Sequence, residues 1–254
     1  MPPRRIRRCF LGLFVIVMTA MSACAGNMPA APKDQRAEYD PWEPLNRRIS
    51  NFNEGFDKVT FKPLAKGYEK VIPQFARTGV TNFAKNLRGP MHIINNFLQG
   101  KPGRGFTEIG RFLANSTFGI GGLFDFAGAG GLEEYPETFG ETFAVWGIPD
   151  GPYVVIPLLV PTTLSGAFAL PFFFLADPIF YLDDSTDKWI IYGIRAINLR
   201  QRLFAAEEAL LEDSFDPYLT TRESILQNRQ YRIYDGDPPE DEDFYDDFLE
   251  EEEK

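Results

Sequence analysis

The sequence has very little cysteine and histidine, and each scarcity excludes a class of chemistry. Two cysteines and one histidine occur among 254 residues. Cys9 lies in a segment that we expect to be removed, so the mature chain keeps one thiol and forms no internal disulfide. A site with several histidine ligands is excluded, whereas a catalytic triad using His92 is not. Because Gly89-Pro90 precedes His92, we expect it at a helix start or on the surface rather than as a catalytic base.

Motifs for nucleotide binding or nucleophilic catalysis are also missing. Ser165 follows Thr163-Leu164 and precedes a glycine, but the second glycine of a nucleophile elbow is absent. The glycine-rich stretches at Gly119 and Gly128 lack the lysine of a phosphate-binding loop and are interpreted as corners. Four glutamates are interpreted as solvated helix faces: Glu133, Glu134, Glu137 and Glu141. We therefore expect no metal and no cofactor, and a hydrolase is kept only as a competing hypothesis.

The net charge of −10 comes mainly from the C-terminal end. Residues 235–254 contain twelve Asp or Glu and one Lys, while the first eight residues contain four arginines. Residues 24–234 consequently carry a net charge of only −3. This near-neutral segment offers no basic surface large enough for nucleic acid. The residues from 235 to the end are predicted to be an acidic disordered tail, because their like charges repel.

The N-terminus has the pattern of an export signal. Four arginines precede an apolar run from Phe10 to Met18, which is too short to span a bilayer. Met21-Ser22-Ala23-Cys24 then resembles a bacterial lipobox, which predicts a signal peptide at 1–23 and acylation of Cys24. An ordinary secretory signal, in which Cys24 has no role, is the alternative.

The residue after the predicted lipidation site suggests the final location. It is Ala25 rather than the aspartate that typically retains lipoproteins on the inner membrane, so we expect a lipid-anchored protein on the periplasmic face of the outer membrane. Arg7-Arg8 also resembles a twin-arginine signal, but the sequence has no cofactor motif, and export through the Sec route is favoured.

Apolar residues at helical spacing dominate the rest of the chain and predict an all-α domain. Residues 24–39 are interpreted as a tether and 40–234 as one helical domain. Asp40 with Glu43 predicts a capping box, and Asp177-Pro178 and Asp216-Pro217 predict two further helix starts. Gly89-Pro90 is expected to end one helix, and the longest helix is expected at 186–213.

Residues 151–176 contain no charged residue, and the length and hydrophobicity of this segment are typical of a membrane span. Prolines at positions 157, 161 and 171 argue against a straight spanning helix. Three interpretations stay open: a buried hairpin, a broken segment lying in one leaflet, and a true span. If the segment contacts lipid, the contact belt is expected at Leu170, Phe172, Phe173 and Phe174.

Three ordered groups of motifs resemble the VacJ/MlaA lipoprotein family over residues 40–232. The first is Asp40-Pro41-Trp42-Glu43-Pro44-Leu45-Asn46-Arg47 with Asn51-Phe52-Asn53. The second is Gly110-Arg111-Phe112-Leu113-Ala114-Asn115-Ser116-Thr117 with Gly121-Gly122-Leu123-Phe124-Asp125. The third is Phe139-Gly140-Glu141-Thr142 with Trp146-Gly147 and Gly151-Pro152-Tyr153. Leu98-Gln99-Gly100-Lys101-Pro102 and Ser214-Phe215-Asp216-Pro217-Tyr218 stand in the expected order.

The resemblance implies a ring of helices in the inner leaflet, with a central amphipathic channel through which misplaced outer-leaflet phospholipid passes. It also implies a soluble periplasmic lipid-carrier protein and a trimeric outer-membrane porin as partners. Polar residues within helical stretches are the candidates for the channel lining, namely Asn95, Asn96 and Asn115. A structural lipoprotein that organises porins or envelope proteins without moving lipid is the alternative function.

Overall fold

The computed structural model describes residues 39–212 and 214–238. The predicted signal peptide, the lipidation site at Cys24, and most of the predicted tether and acidic tail lie outside the described residues. The described part is helical, as the sequence predicts. Its α-helices are α1 (Glu43–Val59), α2 (Phe61–Val71), α3 (Gln74–Leu98), α4 (Pro102–Thr117), α5 (Phe126–Ala129), α6 (Phe139–Val145), α7 (Leu164–Ala176), α8 (Ser185–Leu211) and α9 (Pro217–Ile233). A 3₁₀ turn (Pro178–Tyr181) and two short strands, β1 (Tyr153–Val154) and β2 (Thr162–Thr163), complete these ranges.

The helix contacts form a closed circuit. Helix α3 packs against α6, α6 against α9, α9 against α8, and α8 returns to α3. Helix α4 lies along α3, α2 lies against α8, and α7 contacts both α3 and α6. This arrangement is the ring that the sequence analysis expected, and it brings α3, α8, α9 and α6 around a shared interior.

Helix α3 contradicts the prediction that Gly89-Pro90 ends a helix. The helix runs unbroken through Pro90 for 25 residues. A proline inside a helix costs about 3 kcal/mol, since one hydrogen bond is lost and its ring crowds the preceding turn. Packing against α4 outweighs that cost. A β-carbon on Gly89 would lie 2.8 Å from Cδ2 of Phe112, so glycine is what allows α4 to approach this closely.

The predicted capping box at Asp40 is also wrong. Helix α1 begins at Glu43 without a side-chain cap, because the Asp40 carboxylate accepts its hydrogen bonds from the side chains of Asn46 and of the distant Tyr218. The Asp-Pro starts behave differently. Asp216 accepts from Tyr218 N at 3.1 Å and caps α9, while Asp177 accepts from Ile179 N at 3.0 Å and caps the 3₁₀ turn. A full capping box that the sequence analysis missed lies at Thr138 and Glu141, at the start of α6.

The uncharged segment 151–176 folds into two short paired strands and a helix. Strands β1 and β2 pair antiparallel, with Tyr153 opposite Thr163, and helix α7 follows directly. Pro171 lies inside α7. Among residues 39–212 and 214–238, no helix has the length and apolar character needed to cross a membrane.

Candidate functional site

The described part of the chain has an unusual distribution of polarity. Eight hydrophobic residues are buried there, against seventeen polar or charged ones, while thirty-eight large hydrophobic residues are exposed. Scattered exposed apolar residues are normal in soluble proteins, but contiguous ones mark contact with lipid or with another protein. Buried polar groups persist only where they are hydrogen-bonded. The candidate site therefore has two parts, a polar interior and an apolar exterior.

The first polar network joins the two ends of the domain. The Asp40 carboxylate accepts from Asn46 Nδ2 at 2.8 Å and from the Tyr218 hydroxyl at 2.5 Å. Arg222 pairs with the same carboxylate at 3.3 Å, and the side chains of both are almost fully buried. Asn46 also donates to Tyr153 O and accepts from Val155 N, each at 3.0 Å. This network fixes strand β1 between α1 and α9.

A second network ties α3 to α6 and to the segment before it. Glu137 Oε1 pairs with Lys101 Nζ at 2.9 Å, and Glu137 Oε2 accepts from Gln99 Nε2 at 2.8 Å. Glu141 pairs with Arg232 of α9 at 2.7 Å. Glu137 and Glu141 are both buried, so their interpretation as solvated faces is wrong. Burial raises the pKa of Glu141, an effect that the charge of Arg232 opposes.

His92 belongs to this second network and is not a surface residue. It lies within α3, is buried, and its Nδ1 is 2.9 Å from the carbonyl oxygen and 3.1 Å from the backbone nitrogen of Glu137. Burial holds the pKa of His92 below its usual range, so the ring is neutral. Ser165 lies in another network, where its hydroxyl donates to Asp150 at 3.2 Å and accepts from Arg229 at 2.9 Å. The described structure does not bring these two residues together as a catalytic pair.

A third network stabilises the connection after α4. Asn115 donates to Asp125 Oδ1 at 2.9 Å and accepts from Ala127 N at 2.8 Å, and Arg111 pairs with Asp125 at 3.1 Å. Although partial burial acts in the opposite direction, these bonds together with one from Gly128 N lower the pKa of Asp125. Gly122 at this corner is required by space, because a β-carbon there would lie 2.4 Å from Cβ of Asn86.

The three asparagines predicted to line a channel are buried and bonded to other protein groups. Asn95 donates to Met91 O and accepts from Thr142 Oγ1, at 2.8 and 2.7 Å. Asn96 donates to Tyr135 O at 3.0 Å. Asn95 and Asn96 have no exposed surface, and Asn115 is 8% exposed. The structure thus gives all three a role in joining segments, and their lining of a channel stays a prediction.

The apolar exterior includes part of the predicted membrane belt. Of the four belt residues, Phe172 is exposed and packs on Phe139 and Phe143, with ring centroids 5.5 and 5.7 Å apart. Leu170, Phe173 and Phe174 are half-buried. The exposed surface continues instead through residues that the sequence analysis did not select, namely Leu158, Leu159, Val160, Phe168 and Leu175. Lipid contact by these side chains stays a prediction.

A second exposed apolar segment went unnoticed in the sequence. It lies in the loop between α4 and α5, where Phe118, Ile120, Phe124 and Phe126 are each more than half exposed. Ile120 has a φ of +53°, a conformation that β-branched residues rarely adopt. The run of aromatic residues among glycines is the signal that could have revealed this surface.

Arg88 is the polar residue that sequence reasoning missed. It lies on α3 with its guanidinium carbon 5.6 Å from the centre of the Phe173 ring. Arg88 keeps exposed surface, yet the protein around it desolvates the charge and lowers its pKa, with a further contribution from Arg195. Nothing in the local sequence distinguishes Arg88 from a surface arginine.

These features define a class of protein, a helical ring whose exterior is apolar and whose interior is held by polar networks. The family model of the MlaA lipoprotein matches residues 38–232. The chain belongs to the MlaA lipoprotein family. Several motif residues, among them Asp40, Glu141 and Asp125, take part in the three buried networks.

Individual relatives agree with that assignment. An intermembrane phospholipid transport system lipoprotein MlaA of Haemophilus influenzae is 32% identical over 231 residues, covering 85% of this chain and 87% of the relative. The protein of the same description from Escherichia coli is 32% identical over 238 residues, covering 89% and 90%. An uncharacterized protein of Rickettsia bellii is 33% identical over 200 residues, which is 78% of each chain.

A solved structure supports the same fold. It is described as "Structural basis for maintenance of bacterial outer membrane lipid asymmetry", and it is 34% identical to this chain with a TM-score of 0.67. The match covers 76% of this chain and 98% of the solved one. The ring-like helical fold is therefore shared with a family member of known structure.

Proposed function

We propose that this protein removes misplaced phospholipids from the outer leaflet of the outer membrane through its helical ring and passes them to a soluble periplasmic carrier. The proposal places the protein on the periplasmic face, anchored by acylated Cys24 and bound to a trimeric porin. Two relatives are described as lipoproteins of intermembrane phospholipid transport. The single observation in this structure that best supports the proposal is the exposed apolar surface around a polar interior.

The physical need for a ring follows from the chemistry of a phospholipid. Moving its charged head group through hydrocarbon costs many kcal/mol, because the charge loses its hydration. A passage with a polar wall lowers that barrier, since the head group stays solvated while the acyl chains slide along apolar side chains. Such a passage requires no nucleophile and no covalent intermediate. Direction then comes from the carrier that removes the lipid.

The uncharged segment suits the proposed position in one leaflet. Helix α7 contains one internal proline, and its exposed side chains are apolar. We propose that α7 and the preceding loop from 156 to 161 lie in the inner leaflet without crossing it. Because the ring then has its own affinity for lipid, acylation of Cys24 contributes mainly to sorting and orientation.

A transfer assay with purified components tests the proposal. The lipidated protein is reconstituted in vesicles that contain a fluorescent phospholipid, and its periplasmic carrier is added as acceptor. We expect phospholipid to reach the carrier faster from these vesicles than from protein-free ones. Equal rates would instead support the alternative, a structural lipoprotein that organises porins or other envelope proteins without moving lipid.

A further inference from the structure

An exposed apolar patch lies at the corner where α3 ends and α4 begins. We call it the corner patch and define it by five residues from α3, α4 and the end of α6: Phe97, Leu98, Phe106, Val145 and Trp146. Each of them is between 39% and 66% exposed. The patch is continuous, since the rings of Phe97 and Phe106 are 5.3 Å apart and Trp146 Nε1 donates to Leu98 O at 2.9 Å. Continuous apolar surface of this kind marks a docking site.

The corner patch differs from α7 because charged side chains lie beside it. Lys101 follows Leu98 by three residues and pairs with Glu137 at 2.9 Å and with Asp235 at 2.8 Å. Arg104 precedes Phe106 by two residues and pairs with Asp235 at 2.5 Å, and each of these two side chains is about one third exposed. Burying such charges in hydrocarbon is costly. A protein segment with acidic residues therefore suits this surface better than acyl chains do.

The last described residues of the chain leave the fold at the same corner. Asp235, just after α9, contributes its carboxylate to both Lys101 and Arg104. The structure describes the chain up to residue 238, and residues 239–254 follow. Residues 239–243 span up to about 17 Å when extended, whereas the corner patch begins within three residues of the two cations. The segment after residue 243 is thus within reach of the corner patch.

The remaining sequence combines negative charge with one apolar cluster. Of the twelve acidic residues from 235 onward, ten lie in 239–254. The large apolar residues there have a spacing that would place them on one face of a helix, and they are Phe244, Tyr245, Phe248 and Leu249. A segment tethered next to its site has an effective concentration of about millimolar. This tethering favours the chain's own tail over a partner that must arrive from solution.

We propose that the segment from Phe244 to Leu249 docks on the corner patch of its own chain, with Asp235 fixing the start of the segment at Lys101 and Arg104. The docked segment covers apolar surface that would otherwise recruit other molecules. The proposed lipid passage does not use this surface, so the docking stands or falls independently of phospholipid transport.

The fluorescence of Trp146 tests this contact, because the chain has three tryptophans and two of them can be replaced. Trp42→Phe with Trp189→Phe leaves Trp146 as the reporter in the mature protein. Quenching by acrylamide in detergent micelles is compared between the full chain and a chain that ends at residue 238. We expect the shorter chain to have a quenching constant about twofold larger or more, since the docked segment shields the aromatic ring.

Two controls separate docking from other effects of the tail. In the first, Trp189 is the remaining tryptophan; it is 74% exposed on α8, outside the corner patch, and should be quenched equally in both chains. In the second, the tail keeps its length and either its charge or its apolar cluster. Serine at all four positions of the apolar cluster should raise the quenching of Trp146 as the deletion does, whereas Asp246→Asn with Asp247→Asn should leave Trp146 shielded.

Chymotrypsin cleavage provides a second measurement that needs no tryptophan replacement. Cleavage after Phe244 or Phe248, followed by mass spectrometry, should be faster in Phe106→Ser than in the wild type, because the weakened corner patch releases the tail. Phe106 is 66% exposed, so this change should leave the fold intact.

Each contrary outcome would overturn the proposal. Equal quenching of Trp146 with and without residues 239–254 would do so, as would equal cleavage of the tail in Phe106→Ser and the wild type. Shielding of Trp146 that survives serine replacement of the apolar cluster would reject the contact between apolar surfaces. Shielding that disappears when the protein is diluted would show that the tail docks on a second copy rather than on its own chain.

Discussion

Removing the Asp40 carboxylate should be among the most destabilising changes on the polar interior. The side chain of Asp40 is fully buried, and it holds Asn46, Tyr218 and Arg222 through three contacts of 2.5 to 3.3 Å. Asp40→Ala leaves the buried guanidinium of Arg222 without this partner. Breaking a buried ion pair in this way costs about 3–5 kcal/mol. We expect about 3 kcal/mol, the lower end, because Arg222 keeps a bond to Glu223 at 2.7 Å.

Thermal unfolding of the mature protein in detergent micelles, followed by circular dichroism, measures this effect. In a domain of 150–250 residues each kcal/mol lowers Tm by about 2–4 °C, so Asp40→Ala should lower it by about 6–12 °C. Tyr218→Phe removes one donor and keeps the ring, so it should cost about 1–2 kcal/mol.

The control is a carboxylate with the opposite surroundings. Glu54 pairs with Lys58 one turn away at 2.6 Å, but both side chains are about 60% exposed. Such surface pairs contribute little, and Glu54→Ala should leave Tm unchanged. If Asp40→Ala melts within about 2 °C of Glu54→Ala, the view that the buried network stabilises the fold is refuted.

Three further predictions concern pH, backbone geometry and lipid contact. Burial lowers the pKa of His92, so as the pH falls the unfolded chain binds a proton at a higher pH than the folded chain does. The stability that neutral His92 contributes is therefore complete above pH 6.5 and is lost as the pH drops through the folded pKa. Chemical denaturation between about pH 7.5 and about pH 5 should show a smaller loss of stability in His92→Asn than in the wild type. Gly122→Ala places a β-carbon 2.4 Å from Asn86 at a φ of +93°, whereas Gly121→Ala has a φ of +68° but open space around it. Urea unfolding should therefore show a loss of stability of about 1–2 kcal/mol for Gly121→Ala and a larger loss for Gly122→Ala. Leu175→Asp should weaken vesicle binding of the unacylated protein, measured by flotation, at least tenfold, as the loss of about 2 kcal/mol of apolar burial predicts. The control Gln227→Asp changes an exposed position on α9 and should float like the parent protein. Equal flotation of both variants would contradict lipid contact by α7.

The helices were largely predictable, because their signals are local. Apolar spacing, the Asp-Pro caps at positions 177 and 216, and the uncharged segment all act within one or two turns. The failures came from distant partners. Asp40 abandons its local cap for Tyr218 and Arg222, and helix α3 continues through Pro90 because α4 packs against it. Sequence spacing contains no information on either contact.

The site was less predictable than the fold. The motifs include residues of a buried scaffold, as the contacts of Asn46, Asn115 and Glu141 demonstrate, while the predicted roles of the site residues stay predictions. Polar residues inside helices predict a polar interior in general terms, yet a channel wall and a hydrogen-bonded joint use the same residue types. Arg88 lies over the Phe173 ring of α7, a contact between distant segments that the sequence around Arg88 does not reveal.

The most direct test of the central claim is the amount of phospholipid in the outer leaflet of living cells. A membrane-impermeant, amine-reactive label applied to whole cells reports it, in a strain lacking this protein and in strains that express the wild type or Cys24→Ala. The account predicts more labelled phospholipid in the deletion strain, full correction by the wild type and poor correction by Cys24→Ala. Labelling in the deletion strain that matches the wild type would contradict phospholipid removal by this protein.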